Sequence, residues 1–186
     1  KEQLGSGHAV AVAEKALAGR SGELLLLYCD TPLLKTETLK KLLAVHRGEN
    51  ADGTILTVEL EDPAHYGRVV RKKGNLVERI VEAADATDGE KAIREVNVGC
   101  YVFDKKKLFG ALKTVKKNPK KKEYYLTDAI EVLSHSGSVR AVITSDREET
   151  MGVNTRVELA RAEEIVQRRL QEAWMERGVG IRDPKT

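Results

Sequence analysis

The chain has 186 residues, 41% hydrophobic and 33% charged, with 32 basic against 29 acidic side chains and a net charge of +3. That is enough apolar material for one ordinary core and one domain. No apolar run approaches the roughly 20 residues that span a bilayer, and no stretch near the start pairs a basic run with an apolar segment and a small-residue cleavage site, so a cytoplasmic protein without a membrane partner is expected. The basic excess sits in DKKKLFG (104–110) and KKNPKKK (116–122), but the second run has no aromatic residue and the chain has only five Tyr, two Phe and one Trp. Base-stacking platforms are therefore scarce, both runs read as solvated, and no nucleic-acid partner is expected.

In chain order, SGHAVAVAEKALAG carries a small polar residue, Ser6, ahead of helix formers, with Val10, Ala13 and Leu17 at helical spacing, which predicts a helix from about Gly7 to Ala18 stopping at Gly19. The run ELLLLY follows a Ser-Gly turn, and its unbroken hydrophobicity predicts a strand buried on both faces, as in a parallel sheet covered by helices. TETLKKLLAVH reads as a helix with Thr36 as cap and Leu39, Leu42, Leu43 and His46 on one side; GTILTVEL reads as a second strand. YGRVVRKKGNLVERIVE offers two short strands about a Lys-Lys-Gly-Asn turn, hence a hairpin. DATDGEKAIREV is a polar loop or short helix before the buried strand NVGCYVF; KKLFGALKTV and YYLTDAIEVLSHSG are helices, and VRAVIT is a strand. The last element places Thr155 three residues before Glu158, a capping-box pattern, and spaces Leu159, Ala162, Val166, Leu170 and Trp174 along one stripe that reads as core. The alternation of strand and helix patterns predicts an α/β fold with a mostly parallel sheet, flanking helices and a small hairpin insertion. Cys29 and Cys100 lie in apolar runs and read as buried thiols.

Three places interrupt this apolar framework with groups suited to chemistry. Asp30 ends the ELLLLY run, where open α/β sheets collect ligands; before Pro32 it is equally suited to a turn or a helix cap. Asn154, in GVNTR, follows a strand and precedes the last helix, and either caps that helix or joins Asp30 in holding Mg²⁺, which favours hard oxygen ligands and completes its shell from phosphates and water. Gly5 and Gly7 flank Ser6 at the mouth of the first helix, where free backbone N–H groups suit a nucleotide or phosphate. The segment lacks the Gly-Lys-Ser/Thr ending of a Walker loop and the third glycine of a dinucleotide fingerprint. The histidines His8, His46, His65 and His135 form no metal spacing, and no Ser/His/Asp or Cys/His nucleophilic arrangement is present. Glu82, Asn97 and the YGR segment at 66–68 place polar groups at the ends of apolar runs, matching the hydroxyls of a sugar.

Taken together and in succession, QLGSGHA, YCDTPLL, YGR, IVEAADAT, EVNVGCYVF, EYYLTDAI, GVNTRVELARAE and VGIRDP resemble the uridyltransferase domain of the bifunctional bacterial N-acetylglucosamine-1-phosphate uridyltransferase/glucosamine-1-phosphate acetyltransferase family, over nearly the whole chain. The resemblance implies a Rossmann-like nucleotidyltransferase fold and a Mg²⁺-assisted reaction of UTP with N-acetylglucosamine 1-phosphate, giving UDP-N-acetylglucosamine and pyrophosphate. By the same resemblance Gln3, Gly5, Ser6 and Gly7 would line the nucleotide side, with Gln3 and Gly7 at the uracil, and Tyr28 and Cys29 would run beneath the phosphates. Asp30 and Asn154 would be the metal ligands and the catalytic pair; Gly67, Glu82, Asn97, Tyr125 and Thr127 would surround the sugar phosphate. Cys29 departs from the family's usual Gly. The family's glycine-rich phosphate loop, with its Arg and Lys, and its carboxy-terminal β-helix, through which it forms a homotrimer, have no counterpart in these residues. Residues 1–177 accordingly read as a partial nucleotidyltransferase domain and 178–186 as the start of a linker, and these residues alone are expected to bind uridine nucleotides weakly without forming UDP-N-acetylglucosamine. A sugar-nucleotide-binding remnant without catalysis is the alternative.

Overall fold

Strand β5, Glu95–Asp104, is the element to which the rest of the sheet is attached. The computed structural model describes residues 3–184; the last two residues of the predicted linker, 185–186, lie outside them. On one side β5 pairs with β2, Gly53–Glu59, which pairs in turn with β6, Val139–Thr144. Its other side is shared end to end by β1, Glu23–Leu27, and β3, Arg68–Arg71. Strand β4, Val77–Val81, closes the hairpin with β3. The helices are α1 (Ser6–Val12), α2 (Thr36–Gly48), α3 (Asp88–Lys91), α4 (Lys105–Leu112), α5 (Leu126–Ser136) and α6 (Arg156–Glu176). Among the described residues, no helix is long and apolar enough to cross a membrane.

Alternation along β5 divides the core. Tyr101 and Phe103 face one layer with Ile55, Leu108, Leu126 and Ile130; Val96, Val98, Cys100 and Val102 face the other with Leu42, Leu56 and Val58. Helices α4 and α5 therefore cover one face and α2 the other, each large buried side chain contributing about 1.5–3 kcal/mol. On the α2 side the buried His46 meets the Thr54 hydroxyl at 3.0 Å, and burial holds its imidazole below the ordinary histidine pKa.

The α/β layering, the flanking helices and the hairpin agree with the sequence, the hairpin turning at Gly74 with φ +68°. A mostly parallel sheet does not. The described strands make one parallel ladder, β2 with β6, and four antiparallel ones. The reason is the connection: the chain passes from β2 to β5 through the β3–β4 hairpin instead of a helical crossover, so β5 returns antiparallel to β2. Strand β1 is likewise not buried on both faces; its side chains alternate, leaving Leu25 41% and Leu27 46% exposed. The same alternation exposes Cys29, while Cys100 is buried as expected.

Helix α1 is shorter than its pattern, because Ala13 N and Glu14 N donate to Val10 O and Ala11 O, tightening residues 13–19 into three-residue turns. Thr36 is not the cap of α2 but its first residue, with Lys35 at the cap position. The capping box of α6 is present, but its stripe is not core: only Ala162 is buried, and Leu170 and Trp174 are 58% and 52% exposed. The helix is fastened by polar contacts, Arg169 to the Leu33 carbonyl at 2.8 Å and Arg168 to Glu148.

Candidate active site

The shared edge of β5 contains a break. Leu27 pairs with Cys100 and the Tyr28 N–H donates to the Gly99 carbonyl at 3.1 Å, after which β1 ends. Strand β3 begins opposite Val96, and the Asn97 N–H donates to the Gly67 carbonyl at 2.9 Å. Open α/β sheets receive ligands beyond the carboxyl ends of their strands, and β1 ends at this break. Gly99 permits the close approach: its φ is +83°, and a Cβ there would stand 2.6 Å from the Tyr28 ring.

Asp30 lies two residues past that hydrogen bond. It caps no helix, since α2 begins at Thr36. Its carbonyl accepts from the Val153 N–H at 2.7 Å, and Gly152 is packed between the Asp30 carbonyl, the Asn154 amide and the Tyr66 hydroxyl. The two segments singled out in the sequence, 28–30 and 152–154, are thus adjacent. What holds them is the buried carboxylate of Glu149, which accepts from the Lys35 N–H at 3.1 Å, the Thr38 hydroxyl at 2.9 Å and the Thr144 hydroxyl at 2.6 Å, joining the start of α2 to the end of β6. Asn154 is not the cap of α6 either: Thr155 is, and Asn154 gives only its backbone N–H to Glu158. Its side chain is exposed, while Asp30 Oδ1 is buried without a hydrogen-bond partner. Leaving a carboxylate oxygen so costs free energy unless a cation joins it. Among the described residues no cluster of three or more His, Cys, Asp or Glu could hold a metal. One carboxylate and one amide oxygen nonetheless fit Mg²⁺, which takes few protein ligands and keeps water and phosphate.

Across the break stand the sugar-matched residues. Gly67 is buried against Ile80, Glu82 Oε2 lies 3.7 Å from where its Cβ would be, and Glu82 Oε1 accepts from the Thr127 hydroxyl at 3.0 Å. Tyr125 is the cap residue of α5, two positions before Thr127. Gly67, Glu82, Asn97, Tyr125 and Thr127 therefore gather where the hairpin, β5 and α5 meet.

The mouth of α1 packs against the same place. A Cβ on Gly5 would meet the Tyr124 carbonyl at 2.7 Å and one on Gly7 would meet it at 3.0 Å, so the two glycines admit the 124–125 backbone. This amends the reading of free N–H donors: the Gly7 N–H already donates to Tyr124 at 2.8 Å. The Ser6 hydroxyl accepts from the Leu126 N–H at 3.1 Å. Gln3 is exposed just ahead. An open, mainly apolar cleft of about 570 Å³ separates α1 from β1 and reaches Ser6, Tyr28, Cys29 and Asp30.

Carboxylates gather around Asp128 on α5. The Asp128 carboxyl is pushed up to about 6, first by burial and then by Glu131, Glu82 and Asp85. Asp85 is held below the usual range by Lys120, whose ammonium lies 2.6 Å from it. The basic runs at 116–122 and 104–110 are therefore tied to the fold instead of wholly solvated: Lys120 pairs with Asp85, Lys107 with Asp52, and Lys105 donates to the Leu17 carbonyl.

Two residues of this region have roles that the sequence reading does not give them. Arg68, grouped there with the sugar-matched YGR segment, is instead buried and donates to the carbonyls of Pro63, Ala64 and Tyr66, bracing the loop that ends in Gly67. Tyr101 is fully buried, with its hydroxyl receiving the Asn97 amide at 2.7 Å, and an aromatic inside an apolar strand gives no warning of that.

The family model described as nucleotidyl transferase matches residues 1–178. The chain is 53% identical over its full length to the bifunctional protein GlmU of Halalkalibacterium halodurans and 48% identical to that of Enterococcus faecalis, spanning 41% of the length of each. In fold it is similar to a nucleoside-diphosphate-sugar pyrophosphorylase from Vibrio cholerae, with a TM-score of 0.64 and 14% identity over 87% of this chain and 65% of that one. A UDP-glucose pyrophosphorylase complexed with UDP-glucose gives a TM-score of 0.56 and 18% identity over 77% and 55%.

Proposed function

The chain belongs to the nucleotidyl transferase family, and from that premise we propose that it serves transfer of a uridylyl group from UTP to N-acetyl-α-D-glucosamine 1-phosphate. A phosphate oxygen of the sugar phosphate attacks the α-phosphorus of UTP in line, the bond to the β-phosphate oxygen breaks, and UDP-N-acetylglucosamine and pyrophosphate separate. Such a reaction asks for positioning and charge more than for covalent help.

The observation that carries the reading is the adjacency of segments 28–30 and 152–154, with the unpartnered Asp30 Oδ1, across the β5 break from Glu82, Asn97 and Thr127. Asp30 and Asn154 would hold Mg²⁺, which when bound offsets phosphate charge. Gly67 leaves room beside Glu82, and Glu82, Asn97, Tyr125 and Thr127 present the acceptors and donors that orient a sugar with its phosphate toward Asp30. Gln3, Gly5, Ser6 and Gly7 would hold the uracil end, with Tyr28 and Cys29 as the floor beneath the phosphates. The choice of N-acetylglucosamine over glucose rests on the motif resemblance and on the similarity to the GlmU proteins.

The test is pyrophosphate release by a complete version of the domain, one that includes the family's phosphate loop, with UTP, Mg²⁺ and either N-acetylglucosamine 1-phosphate or glucose 1-phosphate. Release is expected with the first sugar, with Asp30→Ala abolishing turnover and Glu82→Ala chiefly raising the KM for the sugar phosphate. Undiminished turnover in Asp30→Ala would end the metal assignment, and equal turnover with the two sugars would end the substrate assignment.

A further inference from the structure

A buried polar contact lies under the break in β5. The Asn97 Nδ2 group donates to the Tyr101 hydroxyl at 2.7 Å, and Tyr101 and Tyr28 lie edge to face with centroids 5.8 Å apart. The direction of the bond between Asn97 and Tyr101 is fixed by chemistry. The Gly99 N–H donates to Asn97 Oδ1 at 3.3 Å, which identifies the oxygen end of the amide, so the nitrogen end faces Tyr101 and can only donate. Tyr101 therefore accepts from Asn97.

We propose that Tyr101 is a positioning residue for the sugar side of the site: without touching a ligand, it fixes the orientation of the Asn97 amide. The assignment of that side rests on the function proposed above. Tyr101 is completely buried and packs on Phe103 at a centroid distance of 5.6 Å, so it moves only if β5 moves, and the amide inherits that rigidity. With one Nδ2 hydrogen given to Tyr101, the other Nδ2 hydrogen and the second lone pair of Oδ1 remain for a ligand, which suits a group offering both an acceptor and a donor, such as an acetamide or adjacent sugar hydroxyls.

The experiment measures UDP-N-acetylglucosamine affinity by calorimetry on the intact protein. Tyr101→Phe keeps the ring and removes the hydroxyl; it is expected to weaken binding about 5–20-fold, the loss of one buried hydrogen bond that leaves its partner unpaired. Asn97→Ala is expected to abolish that effect, so that adding Tyr101→Phe to it changes affinity by less than about twofold. A role confined to packing would lower thermal stability and leave affinity in place. The Asn97 side-chain amide signals in NMR supply a readout independent of ligand: slow hydrogen exchange in the wild type and fast exchange in Tyr101→Phe are expected. Unchanged affinity in Tyr101→Phe, penalties that add in the double variant, or equal amide exchange in wild type and variant would each overturn the proposal. Absence of UDP-N-acetylglucosamine binding by a wild type whose amide exchange does respond to Tyr101→Phe would overturn the substrate reading instead. Should Tyr101→Phe not fold, the wild type alone remains decisive: Asn97 side-chain amide exchange slower than that of the exposed Asn50 is expected, and equally fast exchange would overturn the proposal.

Discussion

Gly99→Ala isolates what the close approach of β1 and β5 is worth. Two costs combine at this position. The backbone sits at φ +83°, where a residue with a Cβ is strained by about 1–2 kcal/mol. The added methyl would stand 2.6 Å from Tyr28 Cδ2 and 3.0 Å from Cγ, and the ring has Tyr101 behind it, so an overpacking cost of about 1–3 kcal/mol follows. Together they amount to about 2–5 kcal/mol, a large share of the roughly 5–15 kcal/mol that holds an ordinary domain folded. Gly19→Ala is the matched control: its φ is +75°, but nothing lies within 4 Å of the place its methyl would take, so only the backbone cost of about 1–2 kcal/mol applies. Equilibrium urea unfolding of the two variants beside the wild type reads the difference directly. A Gly99→Ala penalty no larger than that of Gly19→Ala would refute the reasoning, because it would mean that Tyr28 is not held against the strand.

Two further outcomes are expected. The Asp128 carboxyl, ordinarily near 3.8, is raised to about 6 in the fold, so its protonated form favours folding; that contribution is complete below about pH 4 and is lost as pH rises through about 6, and the stability of the wild type relative to Asp128→Asn should fall across that window and level off above it. Parallel pH profiles for the two proteins in urea unfolding would refute it. Of the two thiols, exposed Cys29 should react with a disulfide reagent in the native protein while Cys100, buried and pushed up to about 12, should react only after unfolding, and two fast-reacting thiols in the native state would contradict the burial assigned to β5.

What could be read from the sequence divides by range. The capping box of Thr155 and Glu158 is a matter of four consecutive residues and is formed as its pattern implies. The hairpin turn at Gly74 is equally local. Periodicity, in contrast, reports that a face is apolar without naming what covers it: Leu170 and Trp174 have helical spacing, and β1 has four consecutive leucines, yet both stand partly exposed among the described residues. Strand direction depends on the connection that brings β5 back, and no residue in NVGCYVF encodes it. The candidate ligands were legible where a polar group ends an apolar run, as at Asp30, Glu82 and Asn97. Their supports were not, because Glu149 sits in a polar stretch and Tyr101 in an apolar one, and each acquires its partners only through contacts distant in sequence.

The ladder between β1 and β5 joins Glu23 to Asp104 and Leu27 to Cys100, with α2, β2 and the whole hairpin between them in the chain. Closing so large a loop costs entropy before any pairing returns it, and contacts of this separation are slow to form. A refolding chain can build α6 or the hairpin from neighbours alone, whereas Tyr28 and Asn97 meet only once that loop has closed. Competence to hold a ligand is therefore a property of the completed sheet, and a ligand that bridges the break would select finished molecules from a population still in search of its last strand pair.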